Sequence, residues 1–173
     1  MDPTELAVQL ATFSSVEQQV QTNTLLKGLE AQLGAMSIGQ MANWIGMEAL
    51  TTTPARFDGA PVSLVVPPNV AADRAELVVQ DDAGTPLQRL AIDPDAPRTI
   101  WAGVGQDGAP FPPGLYTFSV EHFAAGSTIG TAPVSHYAKV AEARLYGSEA
   151  TIMLDNGVEV RSDEIQGLAA PRN

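Results

Sequence analysis

The 173-residue sequence contains no cysteine, which excludes a disulfide framework, a thiol nucleophile and a thiolate metal site. Basic residues are scarce, nine against 20 acidic ones, and they form no stripe that would bind nucleic acid or an anionic membrane. No apolar run approaches the ~18 residues of a membrane span. The first residues contain neither the basic nor the apolar region of a Sec-type signal. We therefore expect neither nucleic-acid binding nor membrane insertion.

Catalytic and ligand-binding patterns are also lacking. His122 and His136 lie in predicted strands without a partner nearby in the sequence, so we interpret both as surface or packed residues. Residues 103–108 match GxGxxG by letter, but a proline-rich stretch follows them instead of the helix that a phosphate site requires. The acidic pairs in 81–84 and 93–95 lack the order of a calcium loop and are typical of turns. The sequence predicts no catalytic residue, no metal and no cofactor.

The first 43 residues predict a helical arm. Asp2 is a suitable N-cap, and Pro3 suits the first helical position. Residues 22–24, Thr-Asn-Thr, cap helices better than they continue them, so we predict two helices with a break there. The arm contains two apolar stripes that are out of phase with each other. The N-terminal stripe consists of Leu6, Leu10, Phe13 and Val20, with Val16 beside it, and the C-terminal stripe consists of Leu26, Leu29, Leu33 and Met36.

Two interpretations of the arm are open from the residues. It either folds back as a helical hairpin on the rest of the chain, or it packs against copies of itself or a partner. We favour assembly because each stripe is too short for a closed bundle and the opposite faces are rich in amides. We therefore predict eight oligomerisation and partner-binding residues on the arm: Leu6, Leu10, Phe13, Val16, Val20, Leu26, Leu29 and Leu33.

After residue 44 the pattern changes to short strands with period two. Residues 68–134 suggest a fibronectin type III or immunoglobulin-like sandwich, and residues 44–67 with 135–173 suggest a small barrel into which the sandwich is inserted. The fold class is thus mainly β with an N-terminal helical arm. Strands are predicted at 45–50, 62–66, 75–80, 87–92, 98–101, 115–123, 128–137, 140–145, 150–154 and 158–161.

Three segments resemble the flagellar hook-capping family, FlgD. Residues 5–18, ELAVQLATFSSVEQ, are similar to that family's best-marked segment, and Trp-Ile-Gly-Met at 44–47 resembles its turn into the first strand. Residues 101–116 resemble its Trp-Asp-Gly…Pro-x-Gly-x-Tyr loop, although Ala102 stands where the family has Asp. The resemblance covers nearly the whole chain and keeps the order of the parts.

The resemblance implies a Tudor-like barrel with an inserted fibronectin-III-like domain. It also implies a non-enzymatic, homo-oligomeric cap at the tip of the growing hook, outside the cell after type III export, under which hook subunits assemble. The implied partners are the chain itself, the hook protein, rod and hook-length-control proteins, and the flagellar export apparatus. Family members carry an export segment before the position of Asp2, and this sequence starts past it. The alternative from a different class is a secreted carbohydrate- or peptide-binding β module with a dimerising helix.

Overall fold

The computed structural model describes residues 2–146 and 149–171. Within the N-terminal helix, the side chains at positions 3, 5, 6, 33–35 and 37 lie outside that description. The chain forms one long α-helix followed by a β body of two antiparallel sheets. The predicted class, mainly β with an N-terminal helix, is confirmed. No helix of the described part is long and apolar enough to cross a membrane.

Helix α1 spans Pro3–Met41 without interruption, so the predicted break at 22–24 is wrong. The hydroxyl groups of Thr22 and Thr24 donate to the carbonyls of Gln18 and Val20, each at 2.8 Å. Because these bonds satisfy the hydroxyls within the helix, the threonines continue it rather than capping a new one. The residues of both stripes consequently lie on a single helix.

Twelve strands follow in the rest of the described chain. The seven-stranded sheet has the order β11-β10-β9-β1-β12, with β3 added to β9 and β6 added to β3. The five-stranded sheet has the order β2-β7-β4-β5, with β8 added to β7. The bounds are β1 Glu48–Thr51, β2 Ala55–Phe57, β3 Val62–Val65, β4 Arg74–Gln80, β5 Pro86–Ile92, β6 Arg98–Trp101, β7 Gly114–Ala124, β8 Ser127–Pro133, β9 Ser135–Tyr146, β10 Glu149–Leu154, β11 Glu159–Arg161 and β12 Gly167–Ala169.

A first hydrophobic core lies between the five-stranded sheet and strands β3 and β6. Its centre is Trp101, whose ring centroid is 4.9 Å from that of Phe57 and 5.0 Å from that of Tyr116. The Trp101 indole Nε1 donates to Gln88 Oε1 at 2.9 Å, and Gln88 Nε2 donates to the Val104 carbonyl at 2.9 Å. Gln88 thus ties the loop after β6 to the first core.

A second, smaller core is built mainly on β9 and β10. It contains Ile152, Leu154 and Val140 together with Met41, the last residue of α1. Trp44 packs on it as a partly buried residue. The helix therefore ends inside the second core.

The predicted domain boundary between residues 67 and 68 does not match the division of side chains between the two cores. Phe57 of β2 and Leu64 of β3 belong to the first core, because β2 pairs with β7 and β3 pairs with β6. The residues that pack with the sandwich thus begin at Ala55, ahead of the predicted start. The Tudor-like and fibronectin-type descriptions of the two units stay predictions.

Candidate assembly surface

The side chains of α1 project into solvent along most of its length. Asp2 Oδ1 accepts hydrogen bonds from the Thr4 backbone N at 3.1 Å and the Thr4 hydroxyl at 3.0 Å, which lowers the pKa of the Asp2 carboxyl. Every described side chain from Ala7 to Gln32 is exposed. The helix therefore does not fold back on the β body, and the hairpin interpretation is wrong.

Six of the eight predicted oligomerisation residues have described side chains, and all six are exposed. Phe13 is the most exposed at 75%, a large fraction for a phenylalanine that has no polar atom to present to water. The side chains of Leu6 and Leu33 lie outside the described part. The other exposed fractions are 62% for Leu10, 53% for Val16, 58% for Val20, 54% for Leu26 and 58% for Leu29.

The two stripes lie on opposite sides of α1. Leu29 follows Phe13 by 16 residues, which at about 100° per residue amounts to about 160° around the helix axis. Underwinding to 3.5 residues per turn, as in a coiled coil, changes the angle only to about 205°. The same 16 residues separate the two positions by about 24 Å along the axis. The structure therefore keeps the predicted stripes apart, and one flat partner surface cannot cover both.

Two exposed apolar residues of the helix were not among the predicted oligomerisation residues. Leu25 is 71% exposed and Val8 is 61% exposed, and neither belongs to a predicted stripe. Leu25 lies four residues before Leu29, a spacing that places it beside the C-terminal stripe. The four-residue spacing to Leu29 could therefore have identified Leu25 from the sequence. Met36, the last residue of the C-terminal stripe, is 60% exposed.

The junction between helix and β body is closely bonded. A short 3₁₀ helix, Ala42–Trp44, follows Met41, which is 2% exposed. Gly46 has a φ of +88° and donates its N–H to the Val140 carbonyl at 2.9 Å, while Val140 N donates to the Met47 carbonyl at 2.8 Å. A residue with a Cβ is strained at such a φ, which accounts for a glycine in this turn. The arm is thus bonded directly to the seven-stranded sheet.

Both histidines of the β body are buried side chains. His136 is buried, and its Nε2 and Nδ1 lie 2.9 Å from the Thr53 carbonyl and 3.3 Å from the Tyr137 carbonyl. Burial lowers the pKa of His136, which favours the neutral ring. His122 is also buried, and its Nδ1 has no hydrogen-bond partner in the described part. Both histidines are packed residues, one of the two roles predicted for them.

The acidic loops are turns, as predicted. Asp81 Oδ1 accepts from the backbone N of Ala83 at 3.0 Å and of Thr85 at 2.7 Å. Asp93 Oδ1 accepts from the backbone N of Asp95 at 2.9 Å. These oxygens therefore serve local backbone hydrogen bonds, and residues 2–146 and 149–171 contain no cluster of three or more metal-ligating side chains.

The aromatic side chains of the β body form core, not a binding platform. Trp101, Tyr116 and Phe118 are at most 4% exposed. Tyr116 Oη also donates to the Pro112 carbonyl at 2.7 Å, which ties the loop before β7 to the core. In the described part, the exposed aromatic residues are Phe13 on the helix and Tyr146 at the end of β9. A stacking surface for sugar rings needs neighbouring exposed rings, so this arrangement does not favour the carbohydrate-binding alternative.

No protein-family model matches the chain, and no curated protein matches it. Solved structures do match. The structure of FlgD from P. aeruginosa has a TM-score of 0.56 and 23% identity, and the match covers 71% of this chain and 96% of that one. The structure of FlgD from Xanthomonas campestris, described for hook capping essential for flagellar assembly, has a TM-score of 0.64 and 16% identity. Its match covers 76% of this chain and 99% of that one.

These matches agree with the family resemblance of the sequence at the level of fold. The recognition is confirmed at the level of fold, because the matched structures are FlgD proteins and nearly the whole of each is covered. The chain has the fold of the FlgD hook-capping proteins.

Proposed function

We propose that this chain is a non-enzymatic hook cap, a homo-oligomer at the distal end of the growing flagellar hook that promotes the assembly of hook subunits. The observation that carries the proposal is a long helix with exposed apolar side chains, bonded at Met41 to a β body with the FlgD fold. A row of large apolar side chains exposed along one helix supports an association site there.

The helix and the β body have different roles in this proposal. The arm holds the oligomer together through its two stripes, and the β body contacts the hook protein. The tip of an open polymer presents repeated unsatisfied subunit surfaces, and an oligomer of identical β modules can dock on several of them at once. Multiple weak contacts then add up to stable capping.

The location and the remaining partners follow from the same proposal. The chain reaches the hook tip outside the cell through the flagellar type III export apparatus. Rod and hook-length-control proteins are further partners at that tip. An acidic chain with no nucleic-acid surface is compatible with this location.

The proposal is tested by electron microscopy of hook–basal bodies from cells that make a tagged version of this chain, with antibody-gold detection of the tag. We expect label at the distal end of incomplete hooks and its loss from completed filaments. Cells with an untagged chain are the control for antibody specificity. Label spread along the hook, or confined to the basal body, would contradict the capping role.

The alternative, a secreted carbohydrate- or peptide-binding module with a dimerising helix, has its own test. A glycan array probed with the full chain is expected to show no binding, because the rings of the first core are buried. Clear and saturable binding to one glycan class would favour the alternative over the cap.

A further inference from the structure

Strand β6 lies at an open edge of the seven-stranded sheet. Within the described residues it pairs only with β3, in antiparallel register. Val66 N donates to the Pro97 carbonyl at 3.0 Å, so residues 97, 99 and 101 direct their backbone groups toward β3. The backbone N–H and C=O groups of Arg98 and Ile100 therefore point away from the sheet, to the side on which a further strand would bind.

The side chains along this edge form a small cleft, which we call the β6 cleft. Val65, Arg98, Ile100 and Tyr137 line it, and its volume is about 240 Å³. Ile100 is 66% exposed, a large fraction for a side chain with no polar atom. A strand added to β6 would place one of its own side chains beside Ile100, because paired residues of neighbouring strands lie on the same face.

Arg98 gives the β6 cleft a charge that the surrounding unit lacks. Residues 68–134 contain eight acidic residues and three arginines. Arg74 and Arg89 form ion pairs within the five-stranded sheet, whereas Arg98 forms no ion pair with any residue in 2–146 or 149–171. An acidic partner is therefore attracted to this edge and repelled by most of the remaining surface.

We infer that the free edge of β6 binds an extended segment of a partner protein in which an apolar residue precedes an acidic residue by two positions. The segment adds as an antiparallel strand, with its apolar side chain beside Ile100 and its carboxylate beside Arg98. Two positions along a strand bring side chains to the same face, which fixes this spacing. Strand addition of this kind combines main-chain hydrogen bonds with pockets for alternate side chains.

The inference rests on the proposed function and deepens it. It gives the contact of the β body with the hook protein a location and a recognition pattern. Because only two residues of β6 present their backbone groups, a single contact is weak and reversible. An oligomer that forms several such contacts stays attached while each of them opens and re-forms, which suits a cap beneath which subunits are added.

The test begins with a photo-cross-link from the full chain. The variant Ile100→p-benzoylphenylalanine is mixed with purified monomeric hook protein of the same organism, irradiated and analysed by mass spectrometry. We expect cross-links to one hook-protein segment in which an apolar residue precedes an acidic one by two positions. The matched control, Ile129→p-benzoylphenylalanine, should lack that cross-link. Ile129 is 41% exposed on β8, which lies at an edge of the other sheet.

A labelled peptide with the sequence of the cross-linked segment then separates backbone from charge by fluorescence anisotropy. Ile100→Pro removes an N–H that faces the free edge and leaves the bonds to β3 intact, so it should abolish binding, whereas Ile100→Val should retain it. Arg98→Glu should weaken binding by about tenfold or more. A peptide in which lysine replaces the acidic residue should restore binding to Arg98→Glu.

The outcomes separate the inference from the proposed function. Equal cross-linking from positions 100 and 129, or no rescue of Arg98→Glu by the lysine peptide, would show that the inference is wrong while the β body still contacts the hook protein. A cross-link from position 100 to another copy of this chain would also overturn it. If neither position cross-links to the hook protein, the inference is wrong, and the antibody-gold labelling decides separately whether the chain is a cap. Circular dichroism checks the fold of each variant, and the rescue decides even if Ile100→Pro unfolds.

Discussion

Replacing Phe13 with Asp separates assembly from folding most sharply. The side chain is 75% exposed, and every described side chain from Ala7 to Gln32 around it is exposed as well. Surface substitutions of this kind usually change the free energy of unfolding by at most about 0.5 kcal/mol. We therefore expect the thermal unfolding of the β body to be nearly unchanged.

The effect on association is much larger. Burying a phenylalanine side chain contributes about 2–3 kcal/mol, and an aspartate in its place leaves an unpaired carboxylate in the contact. A combined loss of about 3 kcal/mol or more corresponds to association weaker by a factor on the order of 100. Leu10→Asp should act in the same direction, since Leu10 belongs to the same stripe.

Sedimentation velocity over a concentration series measures the association, and circular dichroism measures the folding. Ala11→Asp is the matched control, because it adds the same charge two residues away on the other side of the helix. It should associate much as the unchanged chain does through the N-terminal stripe. If Phe13→Asp assembles as well as Ala11→Asp, the N-terminal stripe does not form the contact and the arm acts only as a linker.

Further predictions concern the helix and the two cores. Gln88→Met leaves the buried Trp101 N–H without its acceptor, so we expect about 1–3 kcal/mol lower stability in chemical denaturation followed by tryptophan fluorescence. Gly28→Ala should raise helix stability by up to about 1 kcal/mol, seen in circular dichroism on heating, because an added Cβ at Gly28 meets no atom within 4 Å. Met41→Ala should lower the stability of the second core by about 2–5 kcal/mol in a denaturant titration, since Met41 is 2% exposed. Because burial lowers the pKa of His136 in the folded chain, His136 takes up a proton at a higher pH in the unfolded chain than in the folded one. The free energy of unfolding should therefore fall as the pH drops below about 6.5, the ordinary pKa of histidine. This part of the fall should be absent in His136→Gln.

Much of the β body was predictable because its strands alternate cleanly. Strand β7 has buried and partly buried residues in strict alternation from Leu115 to Phe123, and the prediction placed it within one residue of each end. The hairpin of β4 and β5 was also predicted, with its turn at residues 81–84. These elements are long enough for their own periodicity to define them.

The three-residue strands β2 and β12 were not predicted, and the long strand β9 was predicted as two pieces. Strand β2, Ala55–Phe57, has three residues between turn signals, too few to show any period, and β12 is equally short. The prediction divided β9 after residue 137, whereas the strand runs from Ser135 to Tyr146. The actual break lies at Val134, whose buried side chain and backbone bond to Phe118 belong to the first core.

The candidate assembly surface was visible in the sequence, but its geometry was not. A phase slip between two apolar stripes is compatible with a broken helix. It is equally compatible with one continuous helix that carries apolar side chains on two opposite sides. The threonine hydroxyls at 22 and 24 decide between these, because they bond back to the helix instead of capping a new one. Only the continuous helix shows that Phe13 and Leu29 face opposite directions.

The most direct test of the account is the solution mass of the full chain, measured by light scattering during size-exclusion chromatography at tens of micromolar. The account predicts an oligomer whose mass is a multiple of 18.2 kDa and which Phe13→Asp reduces to smaller species. A full chain that remains a monomer of 18.2 kDa at that concentration would contradict self-assembly through the arm.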